Sequence, residues 1–327
     1  MIITIDAGTT NTRVSLFEGK NRIGIVKAEV GVRNTSIDGN NTQLLSTISQ
    51  AISQLTLEHN VANEDIEAIL AAGMITSNLG LVEVPHLVAP VSLQDFANNI
   101  FSKVFPEISE TPIHFVPGLK NLDTNNIKSV EGLDIMRGEE VEALAIAELF
   151  DINHDAIIAL PGSHSKFISI SASQAINGCC TTLAGELNSI ITHHTILTSS
   201  LQDKFANELC KSSLLAGYDA VEKYGLGHAL FTIRLKEQFG GESHQQLANY
   251  LVGIILHSDI KALKSAPQLK FTPDTPIYIG GKGLLCEATG ELIRSLYPDV
   301  KITHCNEVED LSAIGAMYVA RHSGLIH

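Results

Sequence analysis

The sequence predicts an α/β protein of two domains, and a repeated hairpin, the chain length and the order of apolar runs support this class. Residues 2–16 and 156–170 align without a gap at an offset of 154, each as an apolar strand, a glycine-containing turn and a second strand. Only three of the fifteen aligned pairs are identical, so the repeat is one of pattern. A chain of 327 residues exceeds one ordinary hydrophobic core. We therefore expect two halves, each with a mixed sheet that opens with a β-hairpin.

Composition and charge indicate a folded protein of the cell interior. The chain is 44% hydrophobic and 18% charged, with a formal net charge of −14 and no cluster of lysine or arginine, which argues against a nucleic-acid partner. Five cysteines without paired spacing indicate reduced thiols, and the scattered histidines predict no zinc site. Met1 leads directly into an apolar strand, and no apolar run approaches membrane length, so we expect a cytoplasmic protein with no membrane partner. The sequence is compatible with a homo-oligomer.

The first half follows the order β-β-β-α-β. A third strand over 21–32 extends the hairpin to a meander, and apolar residues at helical spacing between 44 and 55 predict a helix. A short strand over 66–71 then runs into an irregular segment, 74–90, at the kind of position where ligand-binding loops of α/β folds collect.

The second half is separated from the first by the polar stretch 121–129, where we expect the domain boundary and a hinge. This gives an N-terminal domain over 1–125, a C-terminal nucleotide-binding domain over 126–310, and a closing helix over 311–327 that packs back on the first domain. The other predicted elements are a strand at 113–116, a helix from about 138, a strand at 179–183, helices over 186–264, a strand at 276–279, a helix to 297, and a strand at 300–303.

The two hairpin turns suit phosphate groups. Glycine lets the backbone approach a ligand closely, while hydroxyls and exposed N–H groups donate to phosphate oxygens. An ordinary polar hairpin tip is the alternative for either turn alone, and the occurrence of both in register favours binding. The candidate residues are Gly8, Thr9, Thr10 and Asn11 in the first turn and Gly162, Ser163, His164 and Lys166 in the second.

The two turns differ at the end of the first strand, where Asp6 corresponds to Leu160. A carboxylate at a strand end suits Mg²⁺, which prefers oxygen ligands and keeps much of its water. Asp6 is therefore the candidate metal ligand, with a local turn cap as the alternative.

Two further glycine-containing segments are candidate site elements. Gly280, Gly281 and Gly283 follow a strand and precede a helix, but Cys286 occupies the third position of a dinucleotide fingerprint and no P-loop occurs, so close approach to an adenine or ribose is the better interpretation. Ser77 and Asn78, in the irregular segment before Gly80, could bind a polyhydroxylated ligand or form an ordinary polar loop.

The segment Met136–Glu140 places one cation and two carboxylates at a predicted helix start. Acidic residues there also favour the helix macrodipole, which would explain one of them without a catalytic role. A carboxylate at this position could act as general base toward a sugar hydroxyl, and Glu139 and Glu140 are both candidates.

Five blocks of the sequence resemble, in order, those of the 2-dehydro-3-deoxygalactonokinase family, within the two-domain sugar kinases related to hexokinase and actin. The blocks are DAGTTNTR (6–13), AGMITSNLG (72–80), MRGEE (136–140), LPGSHSKF (160–167) and LAGEL (183–187). The wider group has a Gly-Asp pair where this chain has Gly138-Glu139, a form that resembles this family's own pattern.

This resemblance implies two ribonuclease H-like domains of the actin/hexokinase type with an active-site cleft between them. It implies transfer of phosphate from ATP to the 6-hydroxyl of a 2-keto-3-deoxy sugar acid, in galactonate catabolism. Mg²⁺ would lie near Asp6, ATP phosphates at the two turns and adenosine at Gly280–Gly283, and the substrate carboxylate would meet Arg13 or Arg137. A kinase for another sugar or sugar acid, or an ATP- or sugar-sensing protein of the same fold, are the alternatives.

Overall fold

The computed structural model describes residues 1–122 and 130–327, which form two compact units. Unit 1 contains residues 1–154, 171–178 and 309–327, and unit 2 contains residues 155–170 and 179–308. The expected boundary after residue 125, and all of the expected hinge except residues 121 and 122, lie outside the described residues. Within the described part of the chain, no helix is both long enough and apolar enough to cross a membrane.

The strands and helices occur in mixed order along the chain. The strands are β1 Ile2–Ala7, β2 Thr12–Glu18, β3 Asn21–Ala28, β4 Ala68–Gly73, β5 Leu87–Val88, β6 Phe101–Phe105, β7 Ser109–Phe115, β8 Leu119–Lys120, β9 Ile135–Met136, β10 Ala156–Leu160, β11 Ser165–Ile170, β12 Ile176–Thr182, β13 Ile277–Ile279 and β14 Ile302–His304. The α-helices are α1 Val32–Asp38, α2 Thr42–Glu58, α3 Leu93–Asn98, α4 Glu139–Leu149, α5 Ala184–His194, α6 Lys211–Tyr224, α7 Leu226–Leu235, α8 His244–Ser265, α9 Leu284–Leu296 and α10 Leu311–His322.

The two large sheets share one topology, which extends the sequence repeat from a hairpin to five strands. Their orders are β3-β2-β1-β4-β7-β6 and β12-β11-β10-β13-β14. In both, the hairpin pair is antiparallel, and its first strand pairs on the other side with a later parallel strand. A second parallel strand follows in each sheet. The predicted α/β class, with a mixed sheet and an opening hairpin in each half, is confirmed.

The register of the two hairpins differs by one residue, which the gapless alignment conceals. Asp6 pairs with Arg13, so residues 7–12 separate them, whereas Leu160 pairs with Lys166 across residues 161–165. The second hairpin is therefore one residue shorter. Lys166 consequently occupies the position of Arg13, not that of Thr12 to which the alignment matched it.

The core of unit 1 lies on the apolar faces of its sheet. Leu44, Ile48, Ile52 and Leu55, spaced by three and four residues, are buried along one side of α2, as the periodicity predicts. These side chains belong to one buried cluster with the inward residues of β1, β2, β4 and β7. Unit 2 has its own buried cluster, formed by residues of β10, β11, β13, α6, α8 and α9.

Helix α4 packs closely against α10 within unit 1. A Cβ added at Gly315 would lie 1.8 Å from the Val141 carbonyl oxygen, so only glycine permits this approach. Helix α10 also contacts β1 and β4. Arg22 forms ion pairs with Glu309 and Asp310, which hold β3 to the start of α10. These contacts fix the position of the α4 N-terminus relative to the sheet.

The structure departs from the predicted elements in several places. The third strand ends at Ala28 rather than continuing to 32, because α1 begins at Val32 after the extended Gly31. Helix α3, strand β6 and the short strands β5, β8 and β9 were not predicted. The four residues 101–104 of β6 are exposed, so this edge strand lacks the apolar run that marks a buried strand.

Candidate active site

In unit 1, the first hairpin turn is held from behind by the start of α1. The Val32 and Arg33 N–H groups donate to the Gly8 and Thr9 carbonyl oxygens at 3.1 and 2.9 Å. A Cβ at Gly31 would lie about 2.5 Å from the Thr9 carbonyl oxygen, so this close approach requires glycine. The turn is thus fixed through its carbonyl groups.

Unit 2 repeats this arrangement with α5. The Gly185 and Glu186 N–H groups donate to the Gly162 and Ser163 carbonyl oxygens at 3.0 and 3.1 Å. A Cβ at Gly185 would lie 2.4 Å from the Gly162 carbonyl oxygen. Gly185, in the LAGEL block, therefore makes the same kind of close helix–turn contact in unit 2 as Gly31 makes in unit 1.

Both turns present donors on the side away from these helices. Among the described residues, the backbone N–H groups of Thr9, Thr10, Ser163 and His164 donate to no protein acceptor, and all four residues are exposed. The Asn11 side chain donates to Thr10 Oγ1 at 2.9 Å. Exposed N–H groups in a fixed turn are suited to anionic oxygens.

Asp6 lies at the end of β1 beside two neighbours. Arg13, directly opposite on β2, donates to Asp6 Oδ2 at 3.1 Å. A Cβ at Gly73 would lie 3.4 Å from Asp6 Oδ1, so the missing side chain leaves that oxygen accessible. Burial raises the pKa of the Asp6 carboxyl, and the Arg13 charge partly opposes this.

Helix α4 begins at a turn that requires glycine. Gly138 has φ 110°, a conformation that other residues rarely adopt, and its added Cβ would lie 3.2 Å from Gly73 Cα. The Glu140 carboxylate is fully buried and both its oxygens accept the Gly138 N–H, at 2.9 and 2.8 Å. Burial, together with the charge of Glu139, raises the pKa of Glu140 to about 8.

Glu139 and Glu142 lie one helical turn apart on α4, and both are partly exposed. Glu139 Oε2 accepts the Arg137 N–H at 3.2 Å. Partial desolvation of its carboxyl, with the negative charges of Asp6 and Glu139, raises the pKa of Glu142 to about 8, whereas Arg13 lowers it. Glu142 is therefore close enough to interact with both Asp6 and Glu139, and Arg13 is a cation near it.

The guanidinium of Arg137 is bonded to the segment after β4. It donates to Thr76 Oγ1 at 2.7 Å and to the Val84 carbonyl oxygen at 2.8 Å, and it lies 3.3 Å from His86 Nδ1. Burial and the charges of Arg137 and Lys120 lower the pKa of His86 to about 4, so this imidazole is neutral near pH 7. Arg137 thereby connects the MRGEE block to the 74–90 segment.

The two other predicted substrate residues differ in exposure. Ser77 is buried and its hydroxyl donates to the Met74 carbonyl oxygen at 2.7 Å, within its own turn. Asn78 is exposed, and its side chain makes no hydrogen bond with another described residue. Of this pair, Asn78 is the one available to a ligand.

The remaining candidates of the second turn are paired within unit 2. His164 Nε2 lies 2.9 Å from Glu186 Oε2, at the exposed tip. Lys166 is buried on β11, and its Nζ donates to Thr181 Oγ1 at 2.6 Å. A contact between Lys166 and phosphate stays a prediction, and it would require the amine to exchange or share this partner.

The segment Gly280–Gly283 lies next to the second turn. The Gly280 N–H donates to the Ala159 carbonyl oxygen at 2.9 Å, at the end of β10. Gly281 and Gly283 have φ 98° and 97°, and a Cβ at Gly283 would meet nothing within 4 Å. The space beside Gly283 is open to a ligand, consistent with the predicted approach of an adenosine.

Sequence reasoning did not select Glu142 or His86. Glu142 could have been found, because it follows Glu139 by three residues in a predicted helix and so lies on the same face. His86 carries no local signal, since only the fold brings it to Arg137. Among the described residues, no group of three or more histidine, cysteine, aspartate or glutamate side chains has the geometry of a metal site.

A sequence model of the 2-keto-3-deoxy-galactonokinase family matches residues 6–314, almost the whole chain. The chain belongs to this family. Members of the 2-keto-3-deoxy-galactonokinase family are phosphotransferases, so the protein is a kinase that uses ATP to phosphorylate 2-keto-3-deoxy-galactonate. Comparison with curated proteins finds no significant match.

Solved structures support the same fold. A protein from Sinorhizobium meliloti assigned as a 2-dehydro-3-deoxygalactonokinase, another name for the same activity, superposes with a TM-score of 0.74 at 20% identity, covering 98% of each chain. Component A of (R)-2-hydroxyglutaryl-CoA dehydratase from Acidaminococcus fermentans superposes with a TM-score of 0.53 at 12% identity, covering 98% of this chain and 99% of the other. At these identities the likeness establishes the fold alone.

Proposed function

We propose that the protein transfers the γ-phosphoryl group of ATP to the 6-hydroxyl of 2-keto-3-deoxy-galactonate, as a step of galactonate catabolism in the cytoplasm. The observation that carries the residue-level proposal is the cluster of Asp6, Glu139 and Glu142 beside Arg13 at the end of β1. Phosphoryl transfer depends mainly on positioning and charge neutralisation, and this cluster provides both a base and a site for a cation.

Glu139 is the proposed general base. Its carboxylate is partly exposed at the start of α4, where it can meet a substrate hydroxyl. The Glu140 carboxylate is fully buried, and its two oxygens share the Gly138 N–H. We therefore assign Glu140 a positioning role: it holds the Gly138 turn that directs Glu139.

Asp6 is the proposed ligand for Mg²⁺, and the donor set fits this ion. Mg²⁺ is commonly held by one or two carboxylates together with phosphate oxygens and water, so Asp6 needs no three-residue cluster around it. The glycine at position 73 leaves Asp6 Oδ1 accessible. A bound Mg²⁺ would supply charge neutralisation for the phosphates of ATP.

The hairpin turns are the proposed phosphate-binding elements, each through the exposed N–H groups described above. The substrate carboxylate requires a cation, and Arg13 is the better candidate because it is largely exposed and has one assigned partner, Asp6. Arg137 already donates to two oxygen acceptors and lies against His86. We propose that Arg137 positions the 74–90 segment instead.

The test is a substrate panel with purified protein, ATP and Mg²⁺. ADP release is measured with 2-keto-3-deoxy-galactonate, its C4 epimer and simple hexoses, and mass spectrometry with phosphorus NMR locates the phosphate on the product. We expect turnover with 2-keto-3-deoxy-galactonate, a 6-phosphate product and loss of activity when EDTA removes Mg²⁺. Turnover of a hexose but of no sugar acid would overturn the proposed substrate.

A further inference from the structure

Glu186 lies beside the second hairpin turn and has no role in the phosphoryl transfer proposed above. Its N–H, at the start of α5, donates to the Ser163 carbonyl oxygen at 3.1 Å. Its carboxylate oxygen Oε2 lies 2.9 Å from His164 Nε2, and each of the two side chains is about half exposed. Glu186 is therefore fixed to the turn through its backbone and bonded to the turn's histidine through its side chain.

A phosphate group at the second turn would gain from a cation of its own. Asp6, the proposed Mg²⁺ ligand beside the first turn, has the apolar Leu160 as its counterpart in unit 2. The chain also carries a formal net charge of −14, which repels a nucleotide anion at long range. A positive side chain at the exposed tip of the turn would offset this repulsion locally.

Of the cationic side chains on the elements at this turn, His164 is the one attached to the turn itself. Lys166 is buried on β11, and its Nζ donates to Thr181 Oγ1 at 2.6 Å. Lys282 is exposed but lies on the separate 280–283 segment. His164 is exposed, and its backbone N–H is one of the turn donors that has no acceptor among the described residues.

The hydrogen bond to Glu186 gives the two ring nitrogens of His164 different roles. An ionised carboxylate only accepts, so Nε2 carries the proton of this bond, and Nδ1 becomes a donor only when the ring is charged. Nδ1 makes no hydrogen bond with a described residue, and as the nitrogen bonded to Cγ it is the one nearer to the His164 backbone. A phosphate oxygen bound by the His164 N–H could therefore also accept from a protonated Nδ1.

We infer that Glu186 is a positioning residue for ATP: it holds the His164 ring so that Nδ1, protonated from solvent, donates to a phosphate oxygen at the second turn. The inference rests on the proposed function, since it deepens the phosphate-binding role of that turn. It also reverses the effect expected from charge alone. A carboxylate by itself repels the phosphates of ATP, so removing Glu186 should tighten binding unless this residue acts through His164.

The test is a double-mutant cycle with Glu186→Ala, His164→Gln and the double variant. Calorimetry measures the affinity for AMP-PNP, a non-hydrolysable ATP analogue, with Mg²⁺ at pH 6 and pH 8. At pH 6 we expect each single variant to bind AMP-PNP about 3- to 10-fold more weakly than wild type. In the His164→Gln background, Glu186→Ala should cause no further loss, because the residue through which it acts is gone.

Glu222→Ala is the matched control in unit 2. Glu222 Oε1 lies 3.0 Å from His257 Nε2, in the same kind of pair between α6 and α8. Its removal should leave the affinity for AMP-PNP unchanged at both pH values. This outcome separates a role at the turn from a general effect of losing one surface carboxylate.

The effect of the two variants should also depend on pH. Histidine side chains ordinarily change charge between pH 5 and pH 8, so the losses of affinity relative to wild type should shrink toward pH 8. The other charged side chains on the elements at this turn, Lys166 and Lys282, are unchanged in every variant. Ionisation of the analogue's own phosphates is likewise common to all the proteins compared.

Unchanged or tighter binding in Glu186→Ala, or an equal loss at pH 6 and pH 8, would overturn the inference. A further loss in the double variant beyond that of His164→Gln would do the same, as would a wild type that does not bind AMP-PNP. Either of the first two results together with turnover of the sugar acid leaves the proposed function standing. The expected AMP-PNP pattern without sugar-acid turnover supports the role of Glu186 and contradicts the proposed substrate.

Discussion

Glu139 and Glu140 are adjacent in sequence but have opposite environments, because a helix turns successive side chains by about 100°. Glu139 is partly exposed and lies close enough to Glu142 for their charges to interact. Glu140 points into the protein and accepts the Gly138 N–H with both oxygens. The acidic pair therefore combines a partly exposed carboxylate with a buried one that is hydrogen-bonded to the turn.

Glu140→Gln should change the pH dependence of stability. Burial raises the folded-state pKa of Glu140 to about 8, above its ordinary value, so the folded protein binds a proton that the unfolded chain releases. The resulting stabilisation is complete at pH below the ordinary carboxyl pKa and is lost as pH rises toward 8. In urea unfolding at pH 5–8, this group makes the free energy of unfolding of wild type fall as pH rises. In Glu140→Gln the fall should be smaller by up to about 1.4 kcal/mol per pH unit.

Glu18→Gln is the control for this measurement, since Glu18 is an exposed carboxylate in the same unit. The free energy of unfolding of Glu18→Gln should change with pH as that of wild type does. A Glu140→Gln slope equal to wild type would mean that Glu140 titrates normally and is not held in the buried site.

Arg137→Lys tests whether this side chain positions a loop or binds substrate. A lysine ammonium cannot reproduce the planar fork that reaches Thr76 and Val84 together. We expect the free energy of unfolding to fall by about 2–4 kcal/mol, since hydrogen bonds of charged groups contribute about 1.5–3 kcal/mol each. Arg33→Lys, at an exposed position, should leave stability unchanged.

Unchanged stability with a strongly raised KM for the sugar acid would assign Arg137 to substrate binding instead. The sequence alone left Arg13 and Arg137 equivalent as cations. Their difference depends on the acceptors around each guanidinium, and those acceptors come from segments distant in sequence.

At the scale of elements, each hairpin turn is hydrogen-bonded to the helix that lies behind it. Helix α1 donates two N–H groups to the carbonyl oxygens of the first turn, and α5 does the same for the second. The N–H groups of Thr9 and Thr10 in the first turn, and of Ser163 and His164 in the second, then remain available on the opposite side. This arrangement explains why glycine occurs at Gly31 and Gly185, where a Cβ would meet the turn backbone.

Gly185→Ala should separate α5 from the second turn, because the new Cβ would lie 2.4 Å from the Gly162 carbonyl oxygen. Relieving this clash requires the backbone to move, which costs more free energy than a side-chain rotation. We expect stability to fall by about 1–3 kcal/mol and the KM for ATP to rise at least several-fold. Gly227→Ala is the matched control in unit 2: its Cβ would meet nothing within 4 Å in α7, so stability should rise by about 0.5–1 kcal/mol. Normal ATP kinetics in Gly185→Ala would contradict a phosphate-binding role for this turn.

The sequence predicted the hairpin repeat because strand alternation and a turn glycine are local signals. It did not predict that α1 begins at Val32, since an apolar run before a glycine looks the same in a strand as at a helix start. The one-residue difference between the hairpins was also concealed, because a gapless alignment fixes equal turn lengths. Cross-strand pairing corrects this and places Lys166 opposite Leu160.

At the scale of the molecule, one architecture occurs twice with different chemistry. In both large sheets the first hairpin strand ends at a turn held by a helix, but Asp6 has the apolar Leu160 as its counterpart. The sequence could predict this asymmetry from aligned residues. It could not predict that Glu142 lies near Asp6 and Glu139, because the position of α4 depends on its packing on α10 and on the approach of Gly138 to Gly73.

The central claim is that the protein phosphorylates the sugar acid with Glu139 as general base. The most direct measurement is the single-turnover rate of phosphoryl transfer from Mg²⁺-ATP to 2-keto-3-deoxy-galactonate in wild type and Glu139→Gln, with binding of both substrates followed by calorimetry. The account predicts a rate lower by about 10²- to 10⁴-fold in Glu139→Gln, with both affinities retained. A Glu139→Gln rate within a factor of three of wild type would contradict it.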